Sequence, residues 1–181
     1  MHHHRLYTVG HSTRSLETFI ELLRSFSVET LVDIRTVPRS RTNPQYNLDQ
    51  LPEALQAQGL RHCRIDALGG LRKKSTSVPE ATNGFWENRS FHNYADYALS
   101  DAFEAGLEEL MNLAQTRRCA IMCAEAVWWR CHRRIVADYL LLRGMQVLHI
   151  MDKGKATEAM LNPAAQVQGP KLTYPAPLAE G

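Results

Sequence analysis

One run constrains this chain more than any other. Residues 120–142, AIMCAEAVWWRCHRRIVADYLLL, begin as an unbroken apolar segment and end with helical spacing. A buried strand that turns into an amphipathic helix is the building unit of a parallel sheet, because parallel neighbours need a crossover of that kind. The turn of this unit also carries Cys123, Glu125, Cys131, His132 and Arg133, the densest group of reactive side chains in the sequence. Open parallel sheets bind ligands beyond the carboxyl ends of their strands, so the run fixes both a fold class and a place to look for function.

The rest of the chain supplies the partners such a sheet needs. Residues 6–9 are a short β-prone run ending in Gly10-His11-Ser12. Apolar residues at helical spacing from 15 to 26 follow, with a serine or threonine to cap them, and residues 30–34 form a second strand. That is a βαβ unit with a right-handed crossover. The pattern predicts a helix over 48–58 closed by Gly59, a weaker strand over 60–65, one helix over 94–115 and a last strand over 145–150. Residues 66–93 show no sustained period. A connection of that length reads either as a lid anchored by Phe85, Trp86 and Phe91 or as an insertion on the surface. The expected architecture is α/β: three layers, α/β/α, around a mostly parallel sheet in a single domain spanning 5–155. A Pro- and Ala-rich tail, 156–181, drapes over it or is partly disordered.

At 181 residues the chain can build a core without disulfides, and a net charge of +2 gives no independent argument for a nucleic-acid partner. Cys63, Cys119, Cys123 and Cys131 have no framework spacing, which points to reduced thiols and a cytoplasmic protein. No apolar stretch approaches the ~20 residues of a membrane span, and the N-terminus lacks the apolar core of a signal peptide.

Three strand ends carry residues that ordinary turns do not require: His11 and Ser12 after the first, Asp33 and Arg35 after the second, Cys123 and Glu125 after the fourth. On the following helix the apolar stripe is Ile135, Val136, Tyr139 and Leu142. His132 falls in its middle, Cys131 and Arg133 at its borders, and Arg134 faces solvent within reach of Asp138. The first turn therefore offers free N–H groups and a positive dipole beside the sheet edge, and Arg35 and Arg133 add bidentate donors for a phosphate or carboxylate. A thiol between a strand end and a helix start is placed to ionise, so Cys123 is a candidate nucleophile or redox centre. The plainer readings are core packing for His132, Cys131 and Cys119, and a simple Asp33–Arg35 ion pair.

The motifs Thr8-Val9-Gly10-His11-Ser12, Asp33-Ile34-Arg35 with Pro38, Cys123-x-Glu125 and Cys131-His132-Arg133 together resemble the domain of unknown function 488 family. The Leu68-Gly69-Gly70 turn and Tyr94-Ala95-Asp96-Tyr97 look similar too. The resemblance implies a three-layer α/β fold and no established reaction.

Three functions fit these residues. The first is an enzyme acting on a small anionic, phosphate-containing substrate such as a nucleotide, or on nucleic acid. Cys123, His11, Glu125 and His132 would be its catalytic groups, and Ser12, Arg35, Arg133 and Asp33 would form its anion-binding set. The loop resembles that of the cysteine phosphatases, but their Cys-x5-Arg spacing is not met: the sixth residue after Cys123 is Trp129, and Arg130 comes one later. The second is a zinc or iron site drawing on Cys123, Cys131 and His132. The third is a non-enzymatic nucleic-acid-binding module whose one basic face is built from Arg35, Arg39, Arg41, Arg72, Lys73, Lys74, Arg130, Arg133 and Arg134 near aromatic residues.

Overall fold

The computed structural model describes residues 4–178. The elements that set the architecture are β1 (Arg5–Gly10), α1 (Leu16–Ser25), β2 (Thr30–Asp33), α2 (Leu51–Gln56), β3 (Arg61–Arg64), α3 (Arg89–Tyr97), α4 (Asp101–Thr116), β4 (Cys119–Cys123), α5 (Arg133–Leu142), β5 (Gln146–Asp152) and β6 (Lys155–Glu158). Six strands form one sheet in the order β3-β2-β4-β1-β5-β6, parallel except for the last, which runs antiparallel to β5. β4, from the run that dominates the sequence, lies inside the sheet between β2 and β1, and all five of its residues are buried.

Alternating strand side chains feed two cores, one on each face. Val9, Leu31, Ala120 and Met122 meet Phe19, Leu22 and Leu23 of α1 and Leu51 and Leu55 of α2. On the other face Val32, Ile34, Cys119 and Ile121 meet Tyr94, Phe103, Leu107, Leu110, Ile135 and Tyr139 from α3, α4 and α5. The fold is thus a single three-layer α/β domain. No helix among the described residues is long and apolar enough to cross a membrane.

Two local expectations change. The helix expected over 94–115 is two helices, because the Ser100 side chain accepts from the Phe103 N–H and starts α4 afresh, while α3 begins earlier on the Asn88 cap. The Arg134–Asp138 pairing gives way to separate partners. Arg134 lies over the ring of Trp86 at 4.8 Å and donates to the Trp129 carbonyl. Asp138 is buried and accepts from Tyr174 Oη at 2.8 Å and from the Asn162 N–H. Tyr174 follows a two-stranded hairpin, Gln166–Gln168 with Lys171–Thr173, whose Leu172 is also buried. Residues 156–178 are therefore attached to the body by one antiparallel strand and by buried side chains.

Burial pushes the Asp138 carboxyl up to about 6, against the hydrogen bonds from Tyr174 and Asn162 that favour its charged form. The folded protein then holds this proton to higher pH than the unfolded chain does. The stability contributed by the group is full at about pH 4 and is lost as pH rises through about 6. Asp138→Asn, which does not titrate, should therefore gain stability relative to the parent over this window, by at most roughly 3 kcal/mol, in urea unfolding measured at successive pH values. A constant difference would show that this carboxyl is not buried on the tail.

Candidate functional site

The parallel register sets the strand ends side by side. Gly10 is level with Cys123, and Asp33 with Met122. Beyond them the chain keeps pairing: the His11 N–H donates to the Cys123 carbonyl, Ser12 to Ala124 and Ile34 to Met122. The three turns singled out in the sequence therefore meet at one edge of the sheet.

The deepest group there is Arg133, whose side chain is fully buried. Its Nη1 donates to Cys123 Sγ at 2.9 Å and to the Glu125 carbonyl at 2.8 Å, and its Nη2 donates to the Ala126 carbonyl at 3.0 Å. Nε has no partner. No carboxylate among the described residues is ion-paired with this guanidinium. A helical side chain leans back toward the helix N-terminus, which carries Arg133 under the loop rather than to the border position read from the helical wheel. Gly10 makes the arrangement possible, since a Cβ there would run into the Glu125 carbonyl and the Arg133 guanidinium.

Cys123 and Cys131 are both almost fully buried. Burial alone would raise the Cys123 thiol. It is outweighed by a hydrogen bond from Cys131, the Arg133 charge and the contact at the Glu125 backbone, so the thiol is lowered from its usual value. Cys131 moves the opposite way, raised by burial and by the neighbouring Cys123 sulfur. The two shifts are opposite in direction, so Cys123 is the sulfur of the pair that favours the thiolate. Cys131 Sγ also accepts from the Arg133 N–H at 3.4 Å and lies 3.5 Å from His132 Nδ1. His132 Nε2 is 3.0 Å from the Ile34 carbonyl, so Nε2 carries the hydrogen and Nδ1 is left as an acceptor. Burial lowers the His132 imidazole to about 4, which keeps it neutral.

Arg35 is held from behind. Asp33, fully buried, takes its Nε and Nη2 at 2.9 and 2.6 Å, and the Tyr46 carbonyl accepts from Nη2 as well. Arg35 Nη1 is 3.4 Å from His11 Nε2. His11 is buried, stacked on the Tyr46 ring at 4.2 Å, with Nδ1 on the Ser12 carbonyl; burial lowers its imidazole too. Asp33, His11 and Ser12 thus form a support behind Arg35.

A cavity of about 460 Å³ opens over these groups, lined by Arg35, Thr36, Val37, Gly70, Leu71, Phe91, Cys123, Glu125, Arg130, Cys131 and His132 among others. Glu125 and Arg130 are at its exposed rim. Of the sequence candidates, Arg35, Cys123, Glu125, Cys131 and His132 face this cavity, whereas His11, Ser12, Asp33 and Arg133 stand behind its wall. Segment 66–93 supplies one wall through Gly70, Leu71, Asn88 and Phe91. Tyr94 and Tyr97 hold that wall by donating to the Leu68 and Ala67 carbonyls, and Thr36 Oγ1 accepts from the Leu71 N–H. Gly70 packs its backbone on the His132 ring, where a Cβ would not fit. No group of three or more His, Cys, Asp or Glu side chains among the described residues could hold a metal ion.

Leu71 and His149 escape the sequence reading, and Arg130 enters it only as one residue of the basic face. Leu71 has no distinguishing local pattern. His149 does: it is a histidine inside the apolar run of β5. It is buried, bonded to Thr8 Oγ1 at 2.6 Å and stacked at 4.6 Å on Trp128, the first residue of the short turn that carries the loop over Arg133.

The model of the family described as Domain of unknown function DUF488 matches residues 15–140, well over half of the sequence. The chain belongs to this DUF488 family. The match takes in Asp33, Arg35, Cys123, Glu125, Cys131, His132 and Arg133; Gly10, His11 and His149 lie outside it. No curated protein and no solved structure matches the chain. As a DUF488 protein it is an α/β protein whose site geometry has to carry the functional argument.

Gly10→Ala should push the loop off β1 and separate Arg133 from Cys123. The expected result is a loss of about 2–4 kcal/mol in urea unfolding, the range of other severe steric and buried-network lesions. Unchanged stability would mean that the loop has room which this geometry denies it.

Proposed function

We propose that this protein is an enzyme that uses the Cys123 thiolate as a nucleophile on a small anionic substrate bound in the cavity above it. The observation that carries the reading is the buried Arg133 guanidinium, which has carbonyl oxygens and one sulfur for company and no carboxylate. An uncompensated buried charge costs several kcal/mol, and an ionised Cys123 removes that cost. Arg133 then acts on the nucleophile from beneath and does not reach substrate. His132 Nδ1 and the Cys131 thiol form a short proton path next to Cys123.

The anionic preference rests on Arg130 and on the one Arg35 Nη1 hydrogen that Asp33, Tyr46 and His11 leave over. Asp33 neutralises most of the Arg35 charge, and Glu125 partly offsets Arg130, so the cavity suits a substrate of one or two negative charges rather than a polyanion. A phosphate monoester, a carboxylate or a nucleotide meets that condition; a nucleic-acid backbone, which needs a broad basic face, meets it less well.

The pH dependence of alkylation tests the thiolate. Cys123 should react with iodoacetamide with a midpoint below the usual ~8.5 of a free thiol, and Arg133→Lys, which keeps the charge but not the fork, should move that midpoint up. A midpoint at or above the ordinary value in the parent would remove the nucleophile. The anionic preference has its own measurement. The ratio of iodoacetate to iodoacetamide rates at Cys123 should fall at least threefold in Arg130→Gln, and an unchanged ratio would take Arg130 out of substrate binding.

A further inference from the structure

The cavity floor holds a second sulfur that a simple nucleophile does not require. Cys131 shares a partner with Cys123, since Arg133 touches both: its backbone N–H donates to Cys131 Sγ and its Nη1 to Cys123 Sγ. Both cysteines line the same cavity. Cys131 precedes α5 in extended backbone, φ −127° and ψ 149°, and Cys123 is the last residue of β4, so the two are joined by a loop instead of a rigid element. The neutral His132 places Nδ1 3.5 Å from Cys131 Sγ.

We infer that Cys123 and Cys131 form a redox-active dithiol that reduces small anionic disulfides, with Cys131 as the resolving thiol and His132 as its base. This rests on the reading of Cys123 as the nucleophile and names the substrate class. The Cys123 thiolate attacks one sulfur of the substrate disulfide, forming a mixed disulfide and releasing the first half as a thiolate. Cys131 then gives its proton to His132 Nδ1 and attacks Cys123 Sγ. The bond from Cys123 to the substrate half breaks, and the second thiolate leaves with the proton from His132. Two electrons have passed from the dithiol to the substrate, and a low-molecular-weight dithiol returns the Cys123–Cys131 disulfide to the reduced state.

The charge on Arg133 times the two steps. While Cys123 is ionised, its negative charge holds the proton on Cys131. Once Cys123 is capped by the substrate half that charge is gone, and the same guanidinium favours ionisation of Cys131. Val37 and Leu71, 60% and 68% exposed at the cavity mouth, offer an apolar lip next to Arg130 and Phe91. The lip suits a disulfide whose halves carry a carboxylate on an apolar or flat body.

5,5′-Dithiobis(2-nitrobenzoate), an aromatic dicarboxylate disulfide, is a direct probe of the reduced full-length protein. The parent should release two thionitrobenzoates in a fast phase, and peptide mapping should find Cys123 linked to Cys131. Cys131→Ser and Cys131→Ala should release one and keep the adduct on Cys123. His132→Gln, which retains the donor to the Ile34 carbonyl, should slow the second release at least tenfold relative to the first. A persistent Cys123 adduct in the parent, or equal release with and without Cys131, would overturn the dithiol while leaving the nucleophile standing. Absence of fast reaction at Cys123 in every variant would remove both. With each rate divided by that of free 2-mercaptoethanol, which removes the difference in leaving group, cystamine, a cationic disulfide, should react at least tenfold more slowly than the dicarboxylate; equal normalised rates would overturn the anionic substrate class.

Discussion

The contact between the Arg133 guanidinium and Cys123 Sγ organises everything at the carboxyl edge of this sheet. A fully buried arginine is tolerable only if its donors are met and its charge is answered. Here two loop carbonyls and one sulfur meet Nη1 and Nη2, and Nε alone is left without a partner. The loop must therefore fold back across the end of β1, and that crossing leaves no room for a Cβ at residue 10. The Cys131 hydrogen bond and this same cation lower the Cys123 thiol, so the demand for a buried counter-charge and the supply of a reactive sulfur meet in one cluster.

Around this pair the molecule is built in shells of neutral hydrogen bonding. His11, His132 and His149 are all shifted by burial toward the uncharged form, and each fixes a neighbour: Arg35, the Ile34 carbonyl and Cys131, and Thr8 with Trp128, respectively. Keeping these rings uncharged avoids adding repulsion to a region that already contains Arg35 and Arg133. Segment 66–93 has no period of its own because its order comes from elsewhere. Two tyrosines of α3 and Thr36 hold the loop by its backbone, and that is how it becomes a wall of the cavity.

Much of this is legible in the sequence, and the limits have physical causes. The strand-to-helix change of period across residues 120–142 places the central strand and α5, because a buried strand and an amphipathic helix leave different apolar patterns. The convergence of Arg35, Cys123 and Glu125 follows from parallel topology alone, since carboxyl ends of parallel strands share one edge. The division between groups that face the cavity and groups that support it does not follow. Asp33 and His11 look equivalent to Arg35 and Cys123 along the chain; only side-chain packing turns them inward. The break between α3 and α4 depends on a single serine cap inside an otherwise continuous helical pattern. The inward reach of Arg133 depends on rotamer direction, which a helical wheel ignores. The attachment of residues 156–178 rests on a few buried side chains, among them Leu172 and Tyr174, widely separated by polar residues that give no periodic signal.

One edge of the sheet is β3, four residues reading Arg-His-Cys-Arg, with hydrogen-bonding groups on its outer side unclaimed by any other strand of the sheet. A strand from another copy that tried to add there would find only a brief ladder and would bring a second exposed Arg61 against the first. Shortness and like charge are the means by which natural sheets discourage such growth. One arginine of β3, Arg61, thus guards the open edge, while the other, Arg64, turns back to hold the Arg35 and Thr36 carbonyls at the cavity.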